Sequence, residues 1–221
     1  MANYEVDPEL LDEHVPATTT LDLYNGRCFV SLVGFMFEDT RVLGLPIPFH
    51  INFEEVNLRF YVRRTLESEV RQAVTFIREI VPRAMVSFVA RVAYGEPYET
   101  WKMRHSRGDG RVEYQWSKRG IQNRLAASIG EDLGVPDPAS LEHFIVEHYW
   151  GYTRRSERRT DEYLVEHPPW ELSAATEPVI DVDFGATYGD RFAFLTDQRP
   201  YSVLFAKGSR VAVYKGTTIH K

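Results

Sequence analysis

The clearest pattern along the chain is an alternation over residues 55–64. Val56, Leu58, Phe60 and Val62 fall on one side of an extended segment, and Asn57, Arg59, Tyr61 and Arg63 fall on the other. Upstream, segments 21–24 and 27–33 flank Asn25-Gly26, two residues that accept the positive φ of a tight hairpin turn. The stretch 44–48, Gly-Leu-Pro-Ile-Pro, interrupts the strands and reads as a loop. Residues 73–81 predict the next strand, reached through a polar connection over 65–71. Pro82 suits the first turn of a helix, where its missing N–H costs nothing. Ala84, Phe88 and Val92, with Met85, Val89 and Ala93, recur at helical spacing to about Tyr94, and Gly95-Glu96-Pro97 ends that run.

Strands over 98–105 and 111–118 follow, joined by a turn containing Asp109-Gly110. Segment 121–135 fits either a strand or a loop. Asp137-Pro138 predicts an N-cap and a first-turn proline, with a helix to about Trp150 that buries Leu141, Phe144, Ile145 and His148. A charged connector over 154–159 leads to strands at 163–167, 179–184, 201–206 and 211–214, with a short helix around 186–195. No repeat, low-complexity stretch or linker divides the chain, so a single domain over 1–221 is expected. Many strands with two or three interspersed helices give the α+β class, dominated by antiparallel sheet.

Composition narrows the function classes. Hydrophobic residues make up 43% of the 221 and charged residues 26%, as in an ordinary globular domain. The formal net charge is −6, which argues against a nucleic-acid partner; Arg154-Arg155-Ser156-Glu157-Arg158-Arg159 reads as a solvated hairpin tip. No run approaches the roughly 18 apolar residues of a membrane span, and the polar N-terminus is no signal peptide. A cytoplasmic location without membrane partners is the expectation. Cys28, the one cysteine, excludes an internal disulfide framework or a cysteine-built zinc site. His143 and His148 lie five apart and share a helix face poorly, so no metal is expected. Glycine-rich nucleotide loops, the GxSxG elbow and HExxH are all absent, and no cofactor is expected.

Four stretches carry a resemblance: Glu55-Val56-Asn57-Leu58-Arg59-Phe60-Tyr61-Val62, Glu96-Pro97-Tyr98 with Met103 downstream, Phe144-Ile145-Val146-Glu147-His148-Tyr149, and His167-Pro168-Pro169-Trp170. In this order and spacing, over about residues 15–214, the chain resembles the YqjF-like family of uncharacterised proteins. More distantly it is similar to the acetoacetate decarboxylase-like superfamily. That resemblance implies a mainly antiparallel double sheet or closed barrel with two or three helices and an internal pocket. It also implies chemistry in which a buried lysine forms a Schiff base with a keto acid or aldehyde. The superfamily's glycine-x-proline segment followed by two lysines would fall at Gly95-Glu96-Pro97-Tyr98-Glu99, where neither following residue is lysine. Fold transfers through such a resemblance more safely than activity does.

Lys118 is the candidate nucleophile. It follows Val112, Tyr114 and Trp116 on one strand face, and a lysine desolvated there would lose its proton and attack a carbonyl. The bland alternative is a strand-end lysine that snorkels to water; Lys102 is a weaker candidate. Tyr114 would line the same pocket. Asn57, Arg59 and Tyr61 form a polar row that lines a cavity, with Arg59 as an anion clamp and Glu55 or Glu79 as its partner, or else faces solvent. Tyr98, set extended by Pro97, offers a hydroxyl to the pocket or is a structural tyrosine. His167 and Trp170 bracket two prolines and serve either acid–base work and a pocket wall, or a rigid corner. Three readings follow: a small-molecule protein acting on an acidic or carbonyl metabolite through a lysine, a non-catalytic binding module using Arg59, and an interaction protein with a filled core. A homodimer through a sheet edge fits the last.

Overall fold

The structure is a computed structural model that describes residues 1–42, 45–46, 52–83 and 96–221. Strands β1 (Ala2–Val6), β2 (Thr20–Leu21) and β3 (Cys28–Phe37) open the chain, followed by β4 (Arg41–Val42) and β5 (Leu45–Pro46). The long pair β6 (Phe53–Thr65) and β7 (Val70–Val81) comes next, then β8 (Tyr98–Thr100), β9 (Lys102–Gly108), β10 (Arg111–Lys118) and β11 (Ile121–Gly134). Helix α1 (Leu141–Val146) precedes β12 (Trp150–Arg154), β13 (Arg159–Glu166) and β14 (Leu172–Asp181). Helix α2 (Phe184–Tyr188), a 3-10 turn (Asp190–Thr196), β15 (Ser202–Ala206), β16 (Ala212–Val213) and β17 (Thr217–His220) complete it.

Fifteen strands join one sheet, in the order β16-β13-β12-β7-β6-β3-β1-β15-β14-β11-β10-β9, with β17, β2 and β8 added on β13, β6 and β7. The α+β, mostly-sheet expectation holds, but this sheet is not closed into a barrel. It is also mixed, because β12 and β8 each run parallel to β7. No described helix is long and apolar enough to cross a membrane.

The main core lies on the side of β6 that carries Val56, Leu58, Phe60 and Val62. These pack with Tyr114, Trp116 and Leu125 from β10 and β11 and with Phe184, Tyr188 and Phe192 around α2. The opposite side of β6 is buried too. Tyr61, Phe29 and Val74 lie there beneath Leu141, Ile145 and Val146 of α1. With both sides of β6 covered here, Glu55, Asn57 and Tyr61 of the polar row are buried, Arg59 is half-buried and Arg63 reaches solvent.

Several local details differ from the sequence expectation. Asn25 and Gly26 do take positive φ, at 50° and 80°, but the hairpin stops at one bridge, Tyr24 to Arg27. The incoming arm turns aside to pair with β6 as β2, in line with β3. Segment 121–134 is a strand, broken by register shifts. Helix α1 ends at Val146, where the expectation ran to Trp150; its N-cap is Ser140, whose Oγ accepts from His143 N, with Asp137 one turn earlier accepting from Ala139 N. Of the helix expected over 82–94, residues 84–94 lie outside the described residues, and Pro82 and Arg83 are not helical. In the stretch expected as a loop over 44–48, Leu45–Pro46 forms β5 and the other three residues lie outside the described residues.

Candidate functional site

The site is built on the α1 side of the sheet. Along β6, Glu55, Asn57, Arg59 and Tyr61 point to this face. Across from them on β7, Glu79 is the partner of Asn57 and Phe76 is the partner of Arg59. Glu79 and Phe76 are three residues apart and would ordinarily point to opposite faces. A bulge between the Leu58 and Arg59 pairings supplies the extra residue that brings both to one side. Tyr98 of β8 pairs with Glu79, and Gly151 of β12 pairs with Val74 and with Tyr163 of β13, so these side chains share the face.

At one end three carboxyls meet. Glu55, Glu79 and Glu96 are 1%, 2% and 4% exposed. Asn57 Nδ2 and Tyr98 Oη both donate to Glu55, each at 2.9 Å. Thr153 Oγ1 and Tyr163 Oη both donate to Glu96 Oε1, at 2.6 and 2.7 Å. Glu79 Oε2 and Glu96 Oε2 have no hydrogen-bond partner among the described residues. Burial pushes Glu55 and Glu96 up to about 7, against the pull of their donors. Burial, then the charges of Glu96 and Glu55, holds Glu79 well above the usual carboxylate range. Burial, with Glu55 and Glu79 beside it, holds the Tyr98 hydroxyl well above the usual phenol range, so it stays protonated.

Along the row, Arg59 Nη2 donates to the carbonyl of Ile145 at 3.0 Å, near the end of α1. Its guanidinium lies 5.7 Å from the Tyr61 ring centre, and its Nε has no partner. The expected ion pair with Glu55 or Glu79 does not form; Glu55 is held by Asn57 and Tyr98. Tyr61 Oη meets Ser31 Oγ at 2.6 Å, Ser31 donates to Asn3 at 2.7 Å, and Asn3 donates to Ser202 at 2.9 Å. This chain of hydrogen bonds crosses β6, β3, β1 and β15. His148 stacks 4.8 Å from Tyr61, and both of its ring nitrogens are unpartnered. Burial, then Arg59, drives its pKa well below 6.5, so the ring is neutral.

The remaining sequence candidates lie elsewhere. Lys118 closes β10 at the rim of the main core, its side chain 36% exposed, and its ammonium binds Glu99 at 2.7 Å. The strand face ahead of it is apolar as expected, and the lysine itself is half-buried at the end of that strand. Lys102 is exposed on β9. Tyr114 belongs to the main core, against Gly34. His167 bonds the Pro168 carbonyl through Nδ1 and receives Trp170 Nε1 at 3.3 Å, while the Trp170 N–H donates to Glu147. Tyr149 stacks on His167, so the motif forms a corner closed by its own hydrogen bonds.

The polar row was legible; Glu96, Thr153, Tyr163 and the chain through Asn3 were not. One signal was available, since Gly151 sits between Trp150 and Tyr152 in a strand, where glycine marks a close approach. A Cβ there would lie 2.1 Å from Tyr163 Cζ, so the tyrosine ring rests on the glycine backbone.

With this geometry the comparisons can be placed. The family model of an uncharacterized conserved protein, DUF2071, matches residues 1–210. The chain belongs to the DUF2071 family. It is 26% identical over 178 residues to the uncharacterized protein YqjF of Bacillus subtilis (strain 168), covering 79% of this chain and 72% of that protein. An acetoacetate decarboxylase-like enzyme from Sphingomonas wittichii RW1 superposes with a TM-score of 0.58 at 15% identity, covering 99% of this chain and 86% of that one. The acetoacetate decarboxylase of Legionella pneumophila gives 0.65 at 11%, covering 99% and 82%. The enduracididine biosynthesis enzyme MppR, complexed with pyruvate, gives 0.56 at 16%, covering 100% and 84%. These likenesses establish an acetoacetate decarboxylase-like fold for the DUF2071 chain.

Proposed function

We propose that this DUF2071 protein takes a small organic acid bearing a carbonyl group onto the buried face of β6. Arg59 holds the ligand's carboxylate, and the Glu55–Glu79–Tyr98 group exchanges protons with it. The observation that carries this reading is Arg59 itself: a half-buried guanidinium beside α1, without an ion pair among the described residues and with its buried Nε unpartnered. A partly desolvated cation without a counter-charge is costly, and a planar carboxylate is its best-matched partner. Glu55 and Glu96 on the same face supply acid–base groups near neutral pH, and Tyr98 supplies a hydroxyl that stays protonated there. Pyruvate bound to MppR, a structural neighbour, belongs to the same ligand class.

The reading does not run through an imine. The chain has five lysines, at 102, 118, 207, 215 and 221. Lys118 is paired with Glu99, and the other four are exposed. Tyr98 stands where the resembled decarboxylase segment would place the first lysine, and its hydroxyl binds Glu55. Titration of the wild type and Arg59→Gln with a panel of 2-oxo acids tests the reading. Binding that depends on Arg59 supports it; equal binding, or none by the wild type, rejects it.

A further inference from the structure

The three carboxyls of the site are not equivalent. Glu55 holds two donors, and Glu96 holds two on one oxygen; both sets favour the ionised form. Glu79 is close enough to both to feel their charges, and its Oε2 is unpartnered among the described residues. Tyr98 has a single hydroxyl proton, and it points to Glu55. The further hydrogen bond between Tyr98 and Glu79 then needs its proton from Glu79. The sequence Glu79–OH to Tyr98–OH to the Glu55 carboxylate satisfies every donor, whereas an ionised Glu79 would sit beside two other acceptors with nothing to receive.

The donors on Glu96 depend on a seat. Tyr163 Oη reaches Glu96 because the ring lies against Gly151, where a Cβ would come within 2.4 Å of both Cε2 and Oη. We propose that Glu79 is the proton-holding acid of this site, and that Tyr163, seated on Gly151, is the positioning residue that keeps the proton there by binding Glu96. The use of that proton rests on the small-acid pocket proposed above. With Arg59 and a neutral Glu79 both presenting donors, the ligand class is one with acceptors at two points, a carboxylate and a carbonyl oxygen. The proton passes from Glu79 to that oxygen, and Glu79 is left ionised.

The ionisable and charged groups around Glu79 are consistent with this assignment. From β6 come Glu55 and, farther along, Arg59; from the β8 approach Glu96 and Tyr98; from β13 Tyr163. Arg155, paired with Asp161, lowers Glu96. Burial raises Glu55 and Glu96 to about 7 against the pull of their donors, and burial with the charges of Glu96 and Glu55 holds Glu79 well above the usual carboxylate range.

Infrared difference spectroscopy on protein carrying 13C-labelled glutamate tests this without any activity assay. At mildly alkaline pH the wild type is expected to show one carbonyl band of a protonated carboxyl. That band disappears in Glu79→Gln, an isosteric change that keeps the neutral form, and persists in Glu96→Gln. Tyr163→Phe removes a donor from Glu96 and adds a second protonated-carboxyl band. A band that survives Glu79→Gln, or no band in the wild type, overturns the assignment of the proton. An unchanged spectrum in Tyr163→Phe overturns the positioning role. Titration of the same samples with pyruvate separates the two proposals. A Glu79 band without Arg59-dependent binding rejects only the pocket, and binding without the band rejects only this inference.

Discussion

Gly151→Ala probes the carboxyl cluster through packing alone. The added methyl would lie 2.1 Å from Tyr163 Cζ and 2.4 Å from Cε2 and Oη, and carbon atoms do not approach that closely. The ring is buried and its hydroxyl binds Glu96 at 2.7 Å, so moving it has two costs. Overpacking contributes ~1–3 kcal/mol. The lost hydrogen bond to a buried carboxyl contributes another ~1–3 kcal/mol. Against these, alanine for glycine at an ordinary strand φ stabilises by only ~0.4–1 kcal/mol. The net expectation is a loss of about 2–5 kcal/mol. With a urea slope of about 2–3 kcal/mol/M, the unfolding midpoint falls by roughly 1–2 M. Tyr163→Phe, which keeps the ring, costs only the hydrogen-bond part. In a Tyr163→Ala background the clash is gone, and Gly151→Ala is neutral or slightly stabilising. A single variant within about 0.5 kcal/mol of wild type, or an equal cost in both backgrounds, refutes the seat.

Three further outcomes follow from the same structure. Glu55, Glu79 and Glu96 bind protons more tightly folded than unfolded. Their contribution is therefore present in full below about 4.5 and is lost as pH rises through the folded values, about 7 for Glu55 and Glu96, with Glu79 also held well above the usual carboxylate range. Glu79→Gln makes that fall shallower and is more stable than wild type in alkaline solution by ~1–3 kcal/mol, as urea unfolding across pH reads out; an unchanged slope contradicts it. Glu162 is buried and receives Tyr152 Oη at 2.6 Å, Arg71 at 2.8 Å and Arg64 at 2.9 Å. Glu162→Ala therefore removes the partner of Arg64 and of the buried Tyr152 hydroxyl, while Arg71 keeps Glu69, and is expected to cost about 1–3 kcal/mol in thermal or urea unfolding. Lys118→Met leaves 2-oxo acid binding unchanged, and borohydride trapping read by intact mass gives no adduct at Lys118; an adduct that this variant abolishes would return imine chemistry to that residue.

Much of the fold was legible where local rules and tertiary contacts agree. The alternation of β6, the bounds of β10 and the turns at Asn25-Gly26 and Asp109-Gly110 follow from side-chain period and φ preference. Strand β1 escaped because Ala2–Val6 is short and its pairing with Leu32 and Val203 is set by distant sequence. The helix expected to reach Trp150 stops early because Trp150 and Gly151 are claimed by parallel pairing to β7. At the site, the face of β6 was visible, but its enclosure depends on α1, which no local pattern places. Glutamate is rarely buried, and while Glu79 was in view as a partner for Arg59, nothing local marked Glu96 for the interior. Only the β7 bulge, the parallel β8 and the open Gly151 position bring 55, 79, 96, 153 and 163 together. For Lys118 the apolar strand face was read correctly. The strand ends at that residue, and Glu99 waits at the rim.

The central claim is that Arg59 receives a ligand carboxylate on the enclosed face of the sheet. Calorimetric titration of wild type and Arg59→Gln with pyruvate and larger 2-oxo acids tests it most directly. The account predicts saturable binding by the wild type that weakens at least about tenfold in the variant, the loss of one charge-assisted bond. Binding of equal strength by both proteins, or none by a folded wild type, would contradict it.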